Sequence, residues 1–520
     1  MQASLPLKNK FIRMKKLIII YIAGFFLLGS CKKELNQLDP NNVTEVEYWK
    51  TEADVLGGLA ATYKIFRSPF RGYWGYKQVQ LFSGRGDDFF IRNDDRNVYQ
   101  LSTFTNNATT STPSELYTGC YIGIFRANQV IEKTPLVEMD EERKAQLIAE
   151  AKFIRALNYF ILVINFQSVP LITRLPQSSD DYSMPAAPEE AIWAAIESDW
   201  IEAKEKLPVS YPSNYVGRAT KGAAIGFLAK AYIYQQKWAE AEQEFSLLVQ
   251  SNGQPQSPYQ YNLLDNYEHN FMKEYDNNIE SLFEIQNQNV GGLDLSGTET
   301  AQETQGSTTA QAFAPTEVAG WFQAYPTNKM FNAFQKEKTI DGDFDPRMYA
   351  SIVWDYPGAT YYNKPYSSFT RVFDKNSRIR KYQNWRDDNE GEKVSEINEK
   401  VLRFADILLL YGETLTMLNR VNEAYPLINR IRARASLALL PTGYSQTSMM
   451  EEIRHQRMVE FFREGQRFYD LRRWSLLNQE IKNSDKEGRE FYNNAIHQYF
   501  PIPQNEINTN PNIQQNPAWN

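Results

Sequence analysis

Apolar residues recur at i, i+3, i+4 and i+7 over many windows of this chain, the spacing that gives a helix one oily face. The pattern predicts helices over residues 51–66, 141–166, 188–207, 218–236, 238–250, 401–418, 422–435, 449–467 and 470–477. Val55, Leu59 and Tyr63 share a face of the first, and Leu147, Ala151, Ile154 and Asn158 one of the second. Pro188 stands in a first turn, where a missing N–H costs nothing, and Pro208 follows the same helix. Two helix pairs repeat one spacing: Ala229-x2-Tyr232-x8-Ala241-x3-Phe245 and Gly412-x2-Leu415-x8-Ala424-x3-Ile428. A small residue lets the helices approach and a bulky one fills the seam, which is the tetratricopeptide pattern. The pairs are far apart in sequence, so the reading is a helical scaffold with a long insertion.

Periodicity fails over residues 251–398. This insertion holds a polar stretch, residues 296–311, too poor in apolar groups to order itself alone. Around it lie aromatic loops: Trp321-Phe322-Gln323-Ala324-Tyr325, Trp354-Asp355-Tyr356, Tyr361-Tyr362 and Trp385. A further one precedes them at Phe70-Arg71-Gly72-Tyr73-Trp74-Gly75-Tyr76. Loops on a rigid scaffold are where binding concentrates. The organisation expected is a leader at 1–30, a helical part at 31–250 with one tetratricopeptide-like hairpin, the loop-rich insertion at 251–398 and a helical part at 399–520.

The leader changes the picture of where the protein works. Lys15 and Lys16 precede an uncharged run at residues 17–28, too short to span a bilayer. Leu28-Gly29-Ser30-Cys31 then resembles a bacterial lipobox, in which the cysteine is acylated and becomes the N-terminus, with Met14 the expected start. Residues 1–30 hold five basic and no acidic residues, so the formal net charge of −7 becomes −12 without them. That balance argues against a nucleic-acid partner, which needs clustered Lys and Arg. Beyond Cys31 only Cys120 remains, which excludes an intramolecular disulfide, and His269, His455 and His497 are too dispersed for a His-rich zinc site.

Several segments in order resemble the SusD/RagB family of outer-membrane nutrient-binding lipoproteins. They are Ala151-Lys152-Phe153-Ile154-Arg155-Ala156 with Val169-Pro170-Leu171; Gly217-Arg218-Ala219-Thr220-Lys221-Gly222-Ala223; Asp345-Pro346-Arg347; and Arg380-Lys381-Tyr382. Then come Arg403-Phe404-Ala405-Asp406-Ile407-Leu408-Leu409-Leu410-Tyr411-Gly412-Glu413, Glu460-Phe461-Phe462-Arg463-Glu464-Gly465-Gln466-Arg467 with Asp470-Leu471-Arg472-Arg473-Trp474, and Phe500-Pro501-Ile502-Pro503 with Asn516-Pro517. Gln466 stands where the family usually has His, and Gly412 where Ala is common. The resemblance implies a mostly α, SusD-like fold with a tetratricopeptide-like core. It implies a SusC-like TonB-dependent outer-membrane transporter as partner and capture of oligosaccharide, or in some members of peptide, at the cell surface. Lipidation at Cys31 and an outer-membrane, surface-exposed location follow from the same likeness.

The charged motifs point to structure rather than catalysis. Glu460, Arg463, Glu464, Arg467, Asp470 and Arg473 alternate in sign at helical spacing, which reads as a network fixing helix against helix. Asp87-Asp88, Asp94-Asp95 and Asp387-Asp388 read as solvated loop acids, since neighbours in a chain seldom face each other across a cleft as glycoside hydrolysis requires. Asp341-Gly342-Asp343-Phe344-Asp345 starts like a calcium loop, but its twelfth position is Ile352 instead of Glu. No phosphate-binding glycine loop or Gly-x-Ser-x-Gly elbow is present. No catalytic residue, metal site or cofactor is therefore assigned. Two other classes compete: a helical polysaccharide hydrolase, and a repeat scaffold for protein partners with its aromatics in the helical groove.

A glycan site needs exposed ring planes flanked by hydrogen-bonding side chains. Two loops meet that requirement: Arg71, Tyr73, Trp74 and Tyr76, and Trp321, Gln323, Tyr325 and Asn328. The family resemblance implies a platform drawn from the same two regions. Trp354, Tyr361 and Tyr362 are weaker candidates because they suit a β-hairpin equally well.

Overall fold

The computed structural model describes residues 48–68, 71–290, 305–371, 377–391 and 394–519. The leader, Cys31, Phe70 and residues 296–304 of the polar stretch lie outside them, and the side chain of Tyr76 is likewise not described. The chain separates into two units, Met1–Lys50 and Thr51–Asn520, and the following concerns the second.

Helices dominate, as expected. The first half is α1 (Glu52–Lys64), α2 (Tyr76–Arg85), α3 (Ser111–Lys133), α4 (Glu141–Phe166), α5 (Glu189–Lys206), α6 (Lys221–Tyr234) and α7 (Trp238–Leu248). Side-chain caps set their starts: Thr51 and Asp54 form a capping box on α1, and Asp140 and Thr220 cap α4 and α6. From α3 to α7 each helix packs on the next. In the insertion lie α8 (Asn328–Phe334) and α9 (Pro346–Ser351); the C-terminal part holds α10 (Phe404–Met417), α11 (Val421–Arg434), α12 (Gln446–Glu460) and α13 (Arg467–Arg473).

The two hairpins with shared spacing, α6–α7 and α10–α11, meet in space. Helix α7 packs on α10, with Phe245 stacked on Tyr411 at 5.6 Å. Gly412 is small for a reason: a Cβ there would stand 2.6 Å from the Ile428 side chain. The scaffold is thus continuous although its sequence is interrupted.

Strands are short and pair antiparallel. They are β1 (Phe89–Ile91), β2 (Ser281–Ile285), β3 (Ala324–Pro326), β4 (Ile352–Val353), β5 (Thr360–Tyr361), β6 (Lys364–Pro365), β7 (Arg378–Ile379) and β8 (Glu399–Arg403). The pairs are β1 with β3, β2 with β8, β4 with β7 and β5 with β6. Several expected helices stop short of their periodicity, among them the one at 470–477, which ends at Arg473. Residues 401–403 belong to β8, because a short apolar run such as Val401-Leu402 suits a buried strand equally well. Helix α12 stops at Glu460, and Arg463 and Gly465 take left-handed φ values of 67° and 69°, turning the Arg463 side chain inward onto Glu399 at 2.7 Å. Residues 305–311 of the polar stretch pack against the body of the protein. Thr309 donates to Glu399 and Gln311 to the Gly391 carbonyl, so this part borrows order from the body around it.

The alternating charges form the expected network, but most of its pairs bridge different elements. Buried Glu460 receives Arg434 at 2.6 Å, Arg403 at 3.0 Å and Arg347 at 3.3 Å. Glu464 receives Lys381 at 2.6 Å and Arg403 at 2.7 Å, while Asp470 holds Arg457 and Arg473. The network ties β8, α9, α11 and α12 together. Asp345, the last acid of the calcium-like segment, caps α9 and grips Arg347 at 2.7 Å.

Candidate functional site

The pairing of β1 with β3 brings candidate residues from two distant segments together. Strand alternation sends Phe89 and Ile91 into the core and leaves Phe90 half-buried on the other face; Ala324, Pro326 and Tyr325 repeat the pattern. The register sets Phe90 directly opposite Tyr325, with ring centroids 5.0 Å apart. Phe322 lies nearly parallel to Tyr325 at 5.9 Å, and the Arg92 guanidinium stands 5.3 Å over Phe322. Arg92 also donates its backbone N–H to the Gln323 carbonyl at 2.8 Å and its side chain to the Phe322 carbonyl at 3.0 Å, which extends the ladder. Beneath the pair lies one apolar cluster including Phe89, Ile91, Ala312, Phe313, Ala324, Met330 and Phe462, and half-buried Trp321 packs against it.

Charged groups lock this platform from behind. Asp87 and Asp88, expected as solvated loop acids, are 0% and 3% exposed. Chain neighbours point opposite ways, so one of them meets cations that arrive from distant segments. Asp87 accepts from Arg467 at 2.7 Å and Lys329 at 2.5 Å, and its carbonyl accepts from the Thr327 hydroxyl at 2.9 Å. The Asp88 carbonyl accepts from the Thr327 N–H, and Asn328 N–H donates to Asp485 at 2.9 Å. Burial pushes Asp87 upward, but Arg467 and Lys329 outweigh it and hold the carboxyl at about 2. Asp88 goes the other way, to about 7, because burial is joined by repulsion from Asp87. Asp94 is exposed and pairs with Arg92, and Asp387 and Asp388 are exposed as expected.

At the platform's border Tyr99 donates to Glu487 at 2.5 Å, which pushes the phenol up to about 12. Burial, with a smaller push from Glu487, raises Tyr325 as well. Both phenols stay protonated donors at neutral pH. The arrangement offers ring faces, a guanidinium, amides and carboxylates. Among the described residues no three His, Cys, Asp or Glu side chains group as a metal site requires.

The other candidate loop, Arg71 to Tyr76, holds Tyr73 and Trp74 half-buried against neighbouring rings. Tyr73 stacks on Phe82 at 3.7 Å and hydrogen-bonds Tyr469; Trp74 sits edge-on to Phe66 at 5.5 Å. Both line a small interior cavity with Leu157, Phe160 and Tyr234. Glycine is the cause: Gly72 and Gly119 bring backbone against backbone, since a Cβ at Gly72 would stand 2.5 Å from the Ile65 carbonyl and one at Gly119 2.3 Å from that of Arg71. The loop is pressed onto α3 with Tyr73 and Trp74 half-buried, and Tyr76 opens α2. Trp354 is buried in the apolar cluster. Tyr361 and Tyr362 do belong to a hairpin, β5–β6, with Tyr361 donating to the Ile379 carbonyl and Tyr362 to Glu390.

The β1–β3 pairing adds Phe90 and Arg92, which the sequence did not single out, to the candidates. Their signal was the alternation Phe89-Phe90-Ile91-Arg92, legible only once that run is read as a strand. A larger cavity, about 320 Å³, lies elsewhere among Leu56, Leu59, Tyr63, Val216, Arg218 and Ile285. Its walls are mainly aliphatic and the Tyr63 hydroxyl is committed to Glu150 at 3.0 Å, so it lacks ring planes with open polar edges.

Comparison with known proteins bears on this arrangement. Residues 279–519 match the SusD family model, and residues 63–233 match a model described as "Starch-binding associating with outer membrane". A SusD superfamily protein from Bacteroides vulgatus superposes with a TM-score of 0.82 at 33% identity, over 91% of this chain and 100% of that one. A laminarin-binding SusD-like protein gives 0.75 at 27%, over 90% and 100%. A SusD-like protein of Formosa agariphila is 25% identical over 97% of this chain and 99% of its own length. With matches that run from the first helices through both hairpins to the C-terminal segment, the chain belongs to the SusD family.

Proposed function

We propose that this protein binds oligosaccharide on the β1–β3 platform, at the outer face of the outer membrane, and passes it to a SusC-like TonB-dependent transporter. The observation that carries the reading is the register pairing Phe90 with Tyr325 beside Phe322 and Arg92. A pyranose has a flat C–H face and a hydroxyl rim. The half-buried rings of Phe90 and Tyr325 take the face, backed by buried Phe322, while Arg92, Gln323 and the phenol of Tyr325 meet the rim. Trp321 and Asn328 complete the platform at its edge. The starch- and laminarin-binding descriptions of the matching family model and solved structure support the same class of ligand. The function is capture, without bond cleavage. The direct test is affinity electrophoresis of the Cys31-less protein through gels holding neutral polysaccharides, with a peptide panel in parallel; retention by peptides alone would replace glycan with peptide in this reading.

Two further expectations concern anchoring and delivery. Cys31→Ser should abolish incorporation of labelled palmitate and leave the precursor uncleaved; a mutant that still labels would refute the anchor. Purification from native membranes in mild detergent should bring down a large TonB-dependent barrel, since a stable pairing buries upwards of about 1,000 Å². Recovery as a lone monomer in several such detergents would count against delivery.

A further inference from the structure

A third segment, from the C-terminal part of the chain, reaches the platform. Residues 485–488 lie behind β1 and are fixed at several points. Asp485 accepts from the Asn328 and Lys329 N–H groups at 2.9 and 3.3 Å, which ties it to the start of α8. Lys486 turns inward and is fully buried; its ammonium donates to the carbonyls of Gly84 and Phe89 and to the Ser102 hydroxyl. None of these acceptors is charged, and burial pushes the ammonium down to about 8. Gly488 has a left-handed φ of 76° and closes onto Thr103, where a Cβ would stand 2.6 Å away. The segment is thus held on α8, on the carbonyl just before Phe90 and on the residue that ends the short helix Arg96–Ser102.

Between those anchors one side chain is left facing solvent. Glu487 is exposed, and one of its oxygens takes the Tyr99 hydroxyl at 2.5 Å. Among the described residues nothing donates to its other oxygen, and no cation stands within ion-pair distance of it. Arg489, two residues on, turns back to the Lys486 carbonyl at 3.3 Å, and Arg92 on the platform answers Asp94 at 3.5 Å. The Glu487 charge reaches the platform all the same, since it adds to the rise that burial gives the Tyr325 phenol. A carboxylate held by one oxygen offers the other to a donor, and a hydrogen bond to a charged acceptor is stronger than one between neutral groups. Sugar hydroxyls are such donors. A carboxylate or sulfate on a sugar would bring like charge to the same place and no proton to share.

We infer that Glu487 is a specificity-determining residue of the platform: it accepts from the hydroxyls of a neutral sugar seated on Tyr325 and disfavours glycans that carry carboxylate or sulfate groups. The inference rests on the glycan reading above and narrows its ligand class.

The test is affinity electrophoresis through gels holding laminarin, amylopectin or arabinoxylan, each beside its sulfated form, with wild type, Glu487→Gln and Tyr325→Ala. Glu487 is exposed, so Glu487→Gln should keep the wild-type melting temperature. For the neutral polymer that retards wild type most, Glu487→Gln should raise Kd about threefold to tenfold, the loss of one charge-assisted hydrogen bond. Wild type should prefer the neutral form to the sulfated one, and in Glu487→Gln that preference should shrink by about threefold or more, the scale of one exposed charge. A merely structural role would lower both affinities in proportion and leave the preference unchanged. That result refutes the role of Glu487, as does wild-type binding by Glu487→Gln while Tyr325→Ala is weakened, or retention by a sulfated polymer as strong as by its neutral form; in each case the glycan reading stands. If neither form of any polymer retards wild type, the glycan reading fails and this inference fails with it.

Discussion

Replacing Glu460 by Ala is expected to lower the unfolding free energy by about 3–5 kcal/mol, since removing one partner leaves buried charges uncompensated. Arg403, Arg434 and Arg347 converge on this carboxylate from three elements, and Arg403 and Arg347 are essentially unexposed. Burial alone would push Glu460 up; the three guanidiniums outweigh it and hold it well below the usual carboxylate range. The sign of the pH effect follows. A depressed folded-state pKa gives stability that is fully present above the unfolded value, about 4.3 for Glu, and is lost as pH falls towards the folded one. Asp87, held at about 2, and Asp406, depressed by Lys230 and Arg457 against its own burial, act in the same direction. Urea titrations at pH 7 and pH 3 should therefore show wild type losing more stability on acidification than Glu460→Ala. Equal losses would mean that the network does not carry the acid sensitivity.

Tyr325→Ala, and separately Phe90→Ala, should weaken glycan binding about tenfold to thirtyfold, or ~1.4–2 kcal/mol, with the melting temperature little changed. The two rings oppose each other across one register position, so the double variant should fall short of the product of the single effects. Trp321→Ala should cost both affinity and some stability, because that ring also packs on the core cluster. Trp74→Ala should lower the melting temperature, since the ring sits edge-on to Phe66, and a weaker Kd in the folded variant would bring this loop into the site. Unchanged Kd in all of Phe90→Ala, Trp321→Ala and Tyr325→Ala would move the site off β1–β3.

The behaviour of Asp87 shows why the site was only partly legible. Asp87-Asp88 looks like two solvated acids because local sequence carries no trace of Lys329 and Arg467, hundreds of residues away. Burying Asp87 is possible only where those cations arrive, and their arrival also locks β1 against the start of α8. How far Tyr73 and Trp74 pack under their own loop was hidden for a related reason. Gly72 and Gly119 serve close backbone approach to segments that the local sequence does not name.

The helices were determined by the sequence itself, because a 3.6-residue period and side-chain caps are local properties. So was the pairing within each tetratricopeptide-like hairpin, where a small residue and a bulky one at set spacing define the seam. Trp321 and Tyr325 were legible as candidates because few other residue types offer a ring with a polar edge. Only the tertiary structure decided which aromatic faces meet. Strands of three residues carry almost no periodic signal, and β1 and β3 lie more than two hundred residues apart. A one-residue slip in their register would turn Phe90 and Tyr325 into the core. That register is held by Thr327, Lys329 and Arg467 acting on Asp87, contacts that exist only after the chain has folded.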